Sequence, residues 1–109
     1  MSENINVQAS SGNIFDDLGL ANSQELLIKA ELIRQISELI TARKLTQIEA
    51  AKCLGIDQPK ISALLRGKLS GFSIERLFRF LNALGSEVEI RVITKPQSDS
   101  HAQTRVVNI

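Results

Sequence analysis

Apolar side chains recur through the middle of the chain at the three- and four-residue spacing of amphipathic helices. The first such pattern predicts a helix over residues 24–43, with Asn22 or Ser23 as its cap and Glu25 placed to complete a capping box from Asn22. The stripe that we expect to be buried is Leu26, Ala30, Ile33, Ile36 and Ile40. One face of this helix should therefore join a core.

A second, shorter helix is predicted over residues 47–54. Thr46 and Glu49 have the spacing of a capping box at its start, and Gly55 can adopt the left-handed conformation that ends a helix. Ala51 is small enough to let another helix cross close by. This is the spacing of two helices that meet across a tight turn.

The next helix should begin at Asp57 or Gln58 and end near Leu65 or Arg66, before Gly67. Pro59 is compatible with a first helical turn, where the missing amide hydrogen has no use. Its apolar residues recur at helical spacing and leave the opposite face free; they are Ile61, Leu64 and Leu65. A further helix is predicted after Leu69–Phe72, capped by Ser73 and ended by Gly85. Its buried face would be Ile74, Leu77, Phe78, Leu81 and Leu84.

Alternation replaces helical spacing after Gly85 and predicts a β-strand over residues 86–93. Val88, Ile90 and Val92 would share one face, and the strand would need a partner from a second copy or from another protein. Pro96 should end it.

The ends of the chain are polar. We expect residues 1–12 and 94–109 to be flexible segments on either side of one domain, 13–93. An apolar cluster at the start of that domain is expected to form a helical turn that packs on the core, with an exposed docking patch as the alternative; it comprises Ile14, Phe15, Leu18 and Leu20.

Charge is unevenly distributed along the 109 residues, although the formal net charge is only +1. Residues 1–42 carry two basic and six acidic side chains, whereas residues 43–79 carry eight basic and three acidic ones, a local net charge of +5. The positive charge thus coincides with the two crossing helices, as phosphate binding would require.

Other classes of protein find little support in the sequence. The one histidine, His101, lies in the polar tail, and no phosphate loop, metal-ligand spacing or nucleophile motif is present, so we expect no enzyme activity and no cofactor or metal. Cys53 is expected to be a buried or half-buried small apolar residue. Without a signal peptide or an apolar run of about 18 residues, a cytoplasmic protein is expected.

The segment from Leu45 to Lys68, LTQIEAAKCLGIDQPKISALLRGK, resembles the Xre family of lambda-repressor-like helix-turn-helix domains. Residues 13–20 and 69–77 resemble the HigA-type antitoxins within it. The resemblance implies an all-α, lambda-repressor-like bundle of about five helices, to which the C-terminal β-strand is added. It also implies a bacterial transcriptional repressor that inserts its third helix into the major groove of an inverted-repeat operator. The alternative is an antitoxin that neutralises a RelE/HigB-like ribonuclease toxin by direct binding and represses its own operon.

The resemblance also implies which residues touch DNA. The residues expected at base edges are Gln58, Pro59, Lys60, Ser62 and Ala63, and those expected at phosphates are Thr46, Gln47, Arg66 and Lys68, with Arg43, Lys44 and Arg76 as secondary candidates. Gln58 could instead serve only as a helix cap, and Lys60 could be an ordinary surface lysine. Because one helix reads few base pairs, a homodimer is expected, joined by Val88, Ile90 and Val92 or, alternatively, by the last helix and the N-terminal turn.

Overall fold

The computed structural model describes residues 22–96 and 103–108. Four α-helices follow one another along the chain, and a short 3-10 turn, Leu69–Gly71, lies before the last of them. The helices are α1 (Asn22–Ala42), α2 (Gln47–Leu54), α3 (Gln58–Leu65) and α4 (Ile74–Ala83). The positions predicted for α2, α3 and α4 are confirmed, and α1 begins two residues earlier than predicted. Among the described helices, none is long and apolar enough to cross a bilayer.

The number of helices and the strand were predicted wrongly. The described residues contain four α-helices rather than about five, because the fifth expected segment, the Ile14, Phe15, Leu18 and Leu20 cluster, lies outside them. Residues 86–96 form no strand. Alternation controls only which side chains share a face, whereas a strand also needs a hydrogen-bonded neighbour, and the described part of the chain offers none.

The buried stripe of α1 is rotated from the predicted one. Ile33, Ile36 and Ile40 are buried as expected, but Leu26 and Ala30 are exposed. At 3.6 residues per turn these two lie about 80° and about 120° around the helix from Ile36, which faces the centre of the core. The other edge of the stripe is Ile28 and Leu32, which are 4% and 3% exposed.

The core lies where all four helices meet. Four large side chains are completely buried, one from α1, two from α3 and one from α4: Ile36, Ile61, Leu64 and Leu77. Burying each stabilises the fold by about 1.5–3 kcal/mol relative to leaving it in water. α1 packs mainly against α4, and α2 packs mainly against α3. The two short helices are therefore held as a pair on a frame made by the two longer ones.

The turns after the helices share one hydrogen-bond pattern. In each, an amide N–H donates to the carbonyl five residues earlier, and the residue before that donor has a positive φ. Glycine supplies the positive φ after α2, α3 and α4, but Lys44 supplies it after α1, with a φ of 57°. After α2 the donor is Ile56, 3.0 Å from the Ala51 oxygen, and the left-handed residue is Gly55.

We predict that Gly55→Ala lowers the free energy of unfolding by about 1–2 kcal/mol, the cost of a left-handed conformation for a residue with a Cβ. A Cβ at Gly55 would meet no atom within 4 Å, so crowding adds nothing to this cost. Urea titration followed by circular dichroism measures it. Gly71→Ala is the matched control, because Gly71 also has open space around it but no positive φ. Equal stability of the two variants would contradict the assignment.

Candidate nucleic-acid interface

The start of α2 is fixed by its predicted capping box. The Glu49 amide donates to Thr46 Oγ1 over 3.1 Å, and the Thr46 amide donates to Glu49 Oε1 over 2.8 Å. Behind this turn, Ala50 and Ala51 are 0% and 6% exposed. Their small side chains let α3 pack closely against α2.

The start of α3 is fixed by Asp57. Its Oδ1 accepts the Lys60 amide over 2.9 Å, so the cap is Asp57 and not Gln58. Gln58 is then the first helical residue, and Pro59 is the second, where an absent N–H costs nothing. The Gln58 side chain is exposed and is not needed to cap the start of the helix.

The orientation of α3 about its own axis is set by Ile61 and Leu64, both completely buried. At about 100° per residue, Pro59 and Arg66 lie almost directly opposite these two, with Ser62 and Ala63 beside them. Gln58 and Lys60, in the first turn, flank this surface on its two sides, about 90° and about 110° from its centre. We call the side of α3 made by these six residues the α3 outer face: Gln58, Pro59, Lys60, Ser62, Ala63 and Arg66. Gln58, Pro59, Lys60 and Arg66 are exposed, whereas Ser62 and Ala63 are half-buried. Three of the five predicted base-contacting residues, Pro59, Ser62 and Ala63, thus lie on the side of α3 opposite the core, and Gln58 and Lys60 lie at the two edges of that side.

Arg66 and Ser62 are in direct contact on this face. Arg66 Nη1 donates to Ser62 Oγ over 2.8 Å. The bond holds the guanidinium along the helix instead of leaving it free in solvent. Sequence reasoning gave the two residues separate roles, although their spacing of four in a helix is the signal that would have joined them.

The other predicted phosphate contacts are exposed around the same pair of helices. Thr46 and Gln47 lie at the N-terminus of α2, where backbone N–H groups and the helix dipole favour an anion. Lys68 follows α3, and Lys44 precedes α2; both are exposed.

Arg43, which was also expected to contact phosphates, bonds another part of the protein. Its Nη1 donates to the Leu84 carbonyl over 3.0 Å, at the C-terminal end of α4. A cation there also interacts favourably with the negative end of the helix dipole. The bond ties the end of α1 to the end of α4, an arrangement that its position in the sequence does not reveal.

Arg76 lies over an aromatic pair. Its guanidinium carbon is 5.6 Å from the centre of the Phe72 ring and 5.5 Å from that of Phe80. The two rings meet edge to face, with centres 5.9 Å apart. A cation over a ring face is attracted by the ring's negative surface. Arg76 thus braces the segment between α3 and α4, and the four-residue spacing of the three side chains was the signal for it.

Two further side-chain groups bear on other kinds of site. Cys53 is exposed, so the expectation of a buried or half-buried residue is wrong; its thiol donates to the Ala83 carbonyl oxygen over 3.4 Å. On α1, hydrogen bonding by Arg34 and then Gln35 lowers the pKa of Glu31. Across the described ranges, no three His, Cys, Asp or Glu residues are grouped so that they could hold a metal ion.

Comparison with known proteins places this geometry in a family. The model of a helix-turn-helix domain family matches residues 14–93, most of the chain. A solved structure titled "Putative XRE Family Transcriptional Regulator" superposes with a TM-score of 0.78 at 43% sequence identity, over 82% of this chain and 100% of that one. The chain belongs to the XRE-like helix-turn-helix regulators.

A curated relative extends the comparison to antitoxins. The XRE-like regulator is 31% identical over 58 residues to a Mycobacterium tuberculosis protein named "Putative antitoxin HigA2". The match covers 53% of this chain and 57% of that relative, so the chain spans little more than half of the relative's length. The similarity supports the family, in which the regulators bind DNA.

We predict that Arg43→Ala lowers the free energy of unfolding of the regulator by about 1 kcal/mol, because the hydrogen bond to the Leu84 carbonyl is lost. Thermal and urea unfolding measure the change. The control is Arg79→Ala, which removes an exposed arginine from α4 itself and should alter stability by less than about 0.5 kcal/mol. If the two variants unfold alike, Arg43 does not join α1 to α4 in solution.

Proposed function

We propose that this regulator binds a double-stranded operator by inserting the α3 outer face into the major groove. The observation that carries the proposal is the complete burial of Ile61 and Leu64, because it leaves the opposite surface of α3 as the one that projects. That surface lies within the stretch 43–79, whose net charge is +5. Positive charge around a projecting helix is what a phosphate-lined groove attracts.

Base recognition is assigned to the first two turns of α3. Gln58 can bond both N6 and N7 of an adenine through its amide, and its side chain is available because Asp57 caps the helix. Lys60 can donate to guanine O6 or N7, and Ala63 can contact a thymine methyl group. Pro59 contributes apolar surface at the centre of the face. Ser62 acts both beside the bases and as the support for Arg66.

Phosphate contacts are assigned to the residues that surround this helix. Thr46 and Gln47 would direct the first amides of α2 at one phosphate, while Arg66 and Lys68 would reach others. Lys44 is exposed and can join them. Arg43 is assigned to stability instead, because its guanidinium already bonds the Leu84 carbonyl. Such contacts set the position of the protein on DNA and not its sequence preference.

Repression of transcription would follow from occupying an inverted repeat as a homodimer. One α3 reads too few base pairs to select a site in a genome, and two related by a two-fold axis read a palindrome. The candidates for the dimer contact differ in exposure. Val88 is half-buried against the core, whereas Ile90 and Val92 are 72% and 93% exposed.

The roles of Gln58 and Arg66 lead to different expected defects in the same assay. Gln58→Ala should reduce the preference for operator over random duplex by roughly 1–3 kcal/mol, the worth of a bidentate base contact. Arg66→Ala should weaken binding to both duplexes about equally and lower the slope of log K against log salt by about 1. Fluorescence anisotropy at several salt concentrations, with an operator selected from random DNA, measures both quantities.

Ser62→Ala provides a matched control for Arg66. It removes the hydroxyl that holds the guanidinium but leaves the charge, so the salt slope should stay close to that of the unmodified protein. This division of roles is contradicted if Arg66→Ala leaves the affinity for random duplex unchanged. It is also contradicted if Gln58→Ala leaves the preference for the operator unchanged.

A second candidate function is that of an antitoxin, favoured by the similarity to the protein named HigA2. Residues 1–42 carry a net charge of −4, which would suit a basic partner such as a ribonuclease toxin. Binding of a toxin and binding of an operator can coexist in one chain.

If this chain is an antitoxin, we predict that a basic, toxin-like reading frame adjoins its gene. The product of that reading frame should arrest growth unless this chain is co-expressed. Growth curves with and without induction of each gene measure the effect. Asp16→Asn with Asp17→Asn should weaken rescue without changing operator affinity, since the pair lies outside the stretch 43–79. If neither the unmodified chain nor the double variant rescues growth, or if no such reading frame adjoins the gene, the antitoxin function is refuted and the chain is a repressor alone.

A further inference from the structure

The chain after α4 packs on the core at two described positions and is exposed next to the first of them. Val88 packs half-buried on the core, and so does Val106 near the end of the chain. Residues 89–96 between them are exposed and belong to no helix or strand. We call residues 89–96 the arm.

The arm carries three large apolar side chains in solvent. Ile90, Val92 and Ile93 are 72%, 93% and 79% exposed. Single exposed apolar residues are ordinary, but three within four positions concentrate apolar surface in one short segment, a feature that marks a contact with another macromolecule.

The charges of the arm indicate what covers it. Glu89 and Arg91 flank Ile90, and within one chain Arg91 Nε lies 2.5 Å from Glu89 Oε2. An acid that precedes a base along a segment becomes self-complementary when two copies run in opposite directions, since each acid then meets the other copy's base. A two-fold interface requires this kind of self-complementarity. The arm as a whole carries one acid, Glu89, and two bases, Arg91 and Lys95, and a net charge of +1 offers little attraction to a strongly acidic or basic partner.

We propose that the arm is the dimer contact and that it packs against the same arm of a second copy, in opposite directions about a two-fold axis. Glu89 then faces the partner's Arg91, and Arg91 faces the partner's Glu89. In this register Ile90 packs against its counterpart at the two-fold axis, and Val92 and Ile93 lie beside that contact. This proposal rests on the homodimeric operator binding proposed above, and it names the surface that joins the two copies.

Reversing one charge at a time tests this arrangement in the full-length protein. Glu89→Arg and Arg91→Glu each place like charges opposite one another twice per dimer. Each should raise the dimer dissociation constant by at least about tenfold at low salt. The double variant, Glu89→Arg with Arg91→Glu, restores opposite charges and should dimerise like the unmodified chain. An equimolar mixture of the two single variants should also dimerise, as a heterodimer, with a dissociation constant close to that of the unmodified chain. Sedimentation velocity over a concentration series measures all four.

Arg79→Glu is the control, because it reverses an exposed charge on α4, the alternative dimer surface. It should leave the dissociation constant unchanged, and circular dichroism should show every variant folded. The arm proposal is overturned if the single reversals leave the dimer intact, if the double variant or the mixture fails to restore it, or if only Arg79→Glu disrupts it.

Binding to a duplex with one half-site separates this proposal from the proposed function. Glu89→Arg should bind the half-site as the unmodified protein does, while losing at least about tenfold in affinity for the complete inverted repeat. An unmodified chain that dimerises through the arm but binds neither duplex would refute the operator function and leave the arm contact standing. A chain that binds DNA with no response to the arm variants would refute the arm contact alone.

Discussion

The burial of Ile61 and Leu64 is the constraint on which the rest of the structure depends. These two side chains turn one side of α3 into the core and so determine which residues project on the other. Ala50 and Ala51 make the approach of α2 to α3 possible, and Gly55 makes the short connection between them possible. The candidate DNA surface is a consequence of this packing, because its residues make few contacts that could orient α3 on their own.

The features that sequence predicts well are those decided by neighbours in the chain. The capping box of Thr46 and Glu49, the left-handed Gly55 and the position of α3 each depend on groups within a few residues of one another. Such local preferences do not change when the chain folds. Pro59, Ser62 and Ala63 therefore lie together opposite the core, with Gln58 and Lys60 at the two edges of that surface.

The features that sequence predicts poorly depend on distant parts of the chain. Arg43 bonds a carbonyl 41 residues away, and Cys53 is exposed because of where α2 lies against the end of α4. Leu26 has an apolar side chain but lies off the axis of the buried stripe. The alternation after Gly85 predicted a strand, yet a strand requires a neighbour that the described residues do not supply. In each case the decisive contact is tertiary or intermolecular.

Backbone amide chemical shifts during titration with a selected operator duplex test the central claim most directly. We expect the largest changes at Gln58, at residues 60–66 and at the first turn of α2, with little change on the solvent face of α1, where Arg34 bonds Glu31 and Glu38. Large changes confined to that face of α1, with α3 unaffected, would contradict the account.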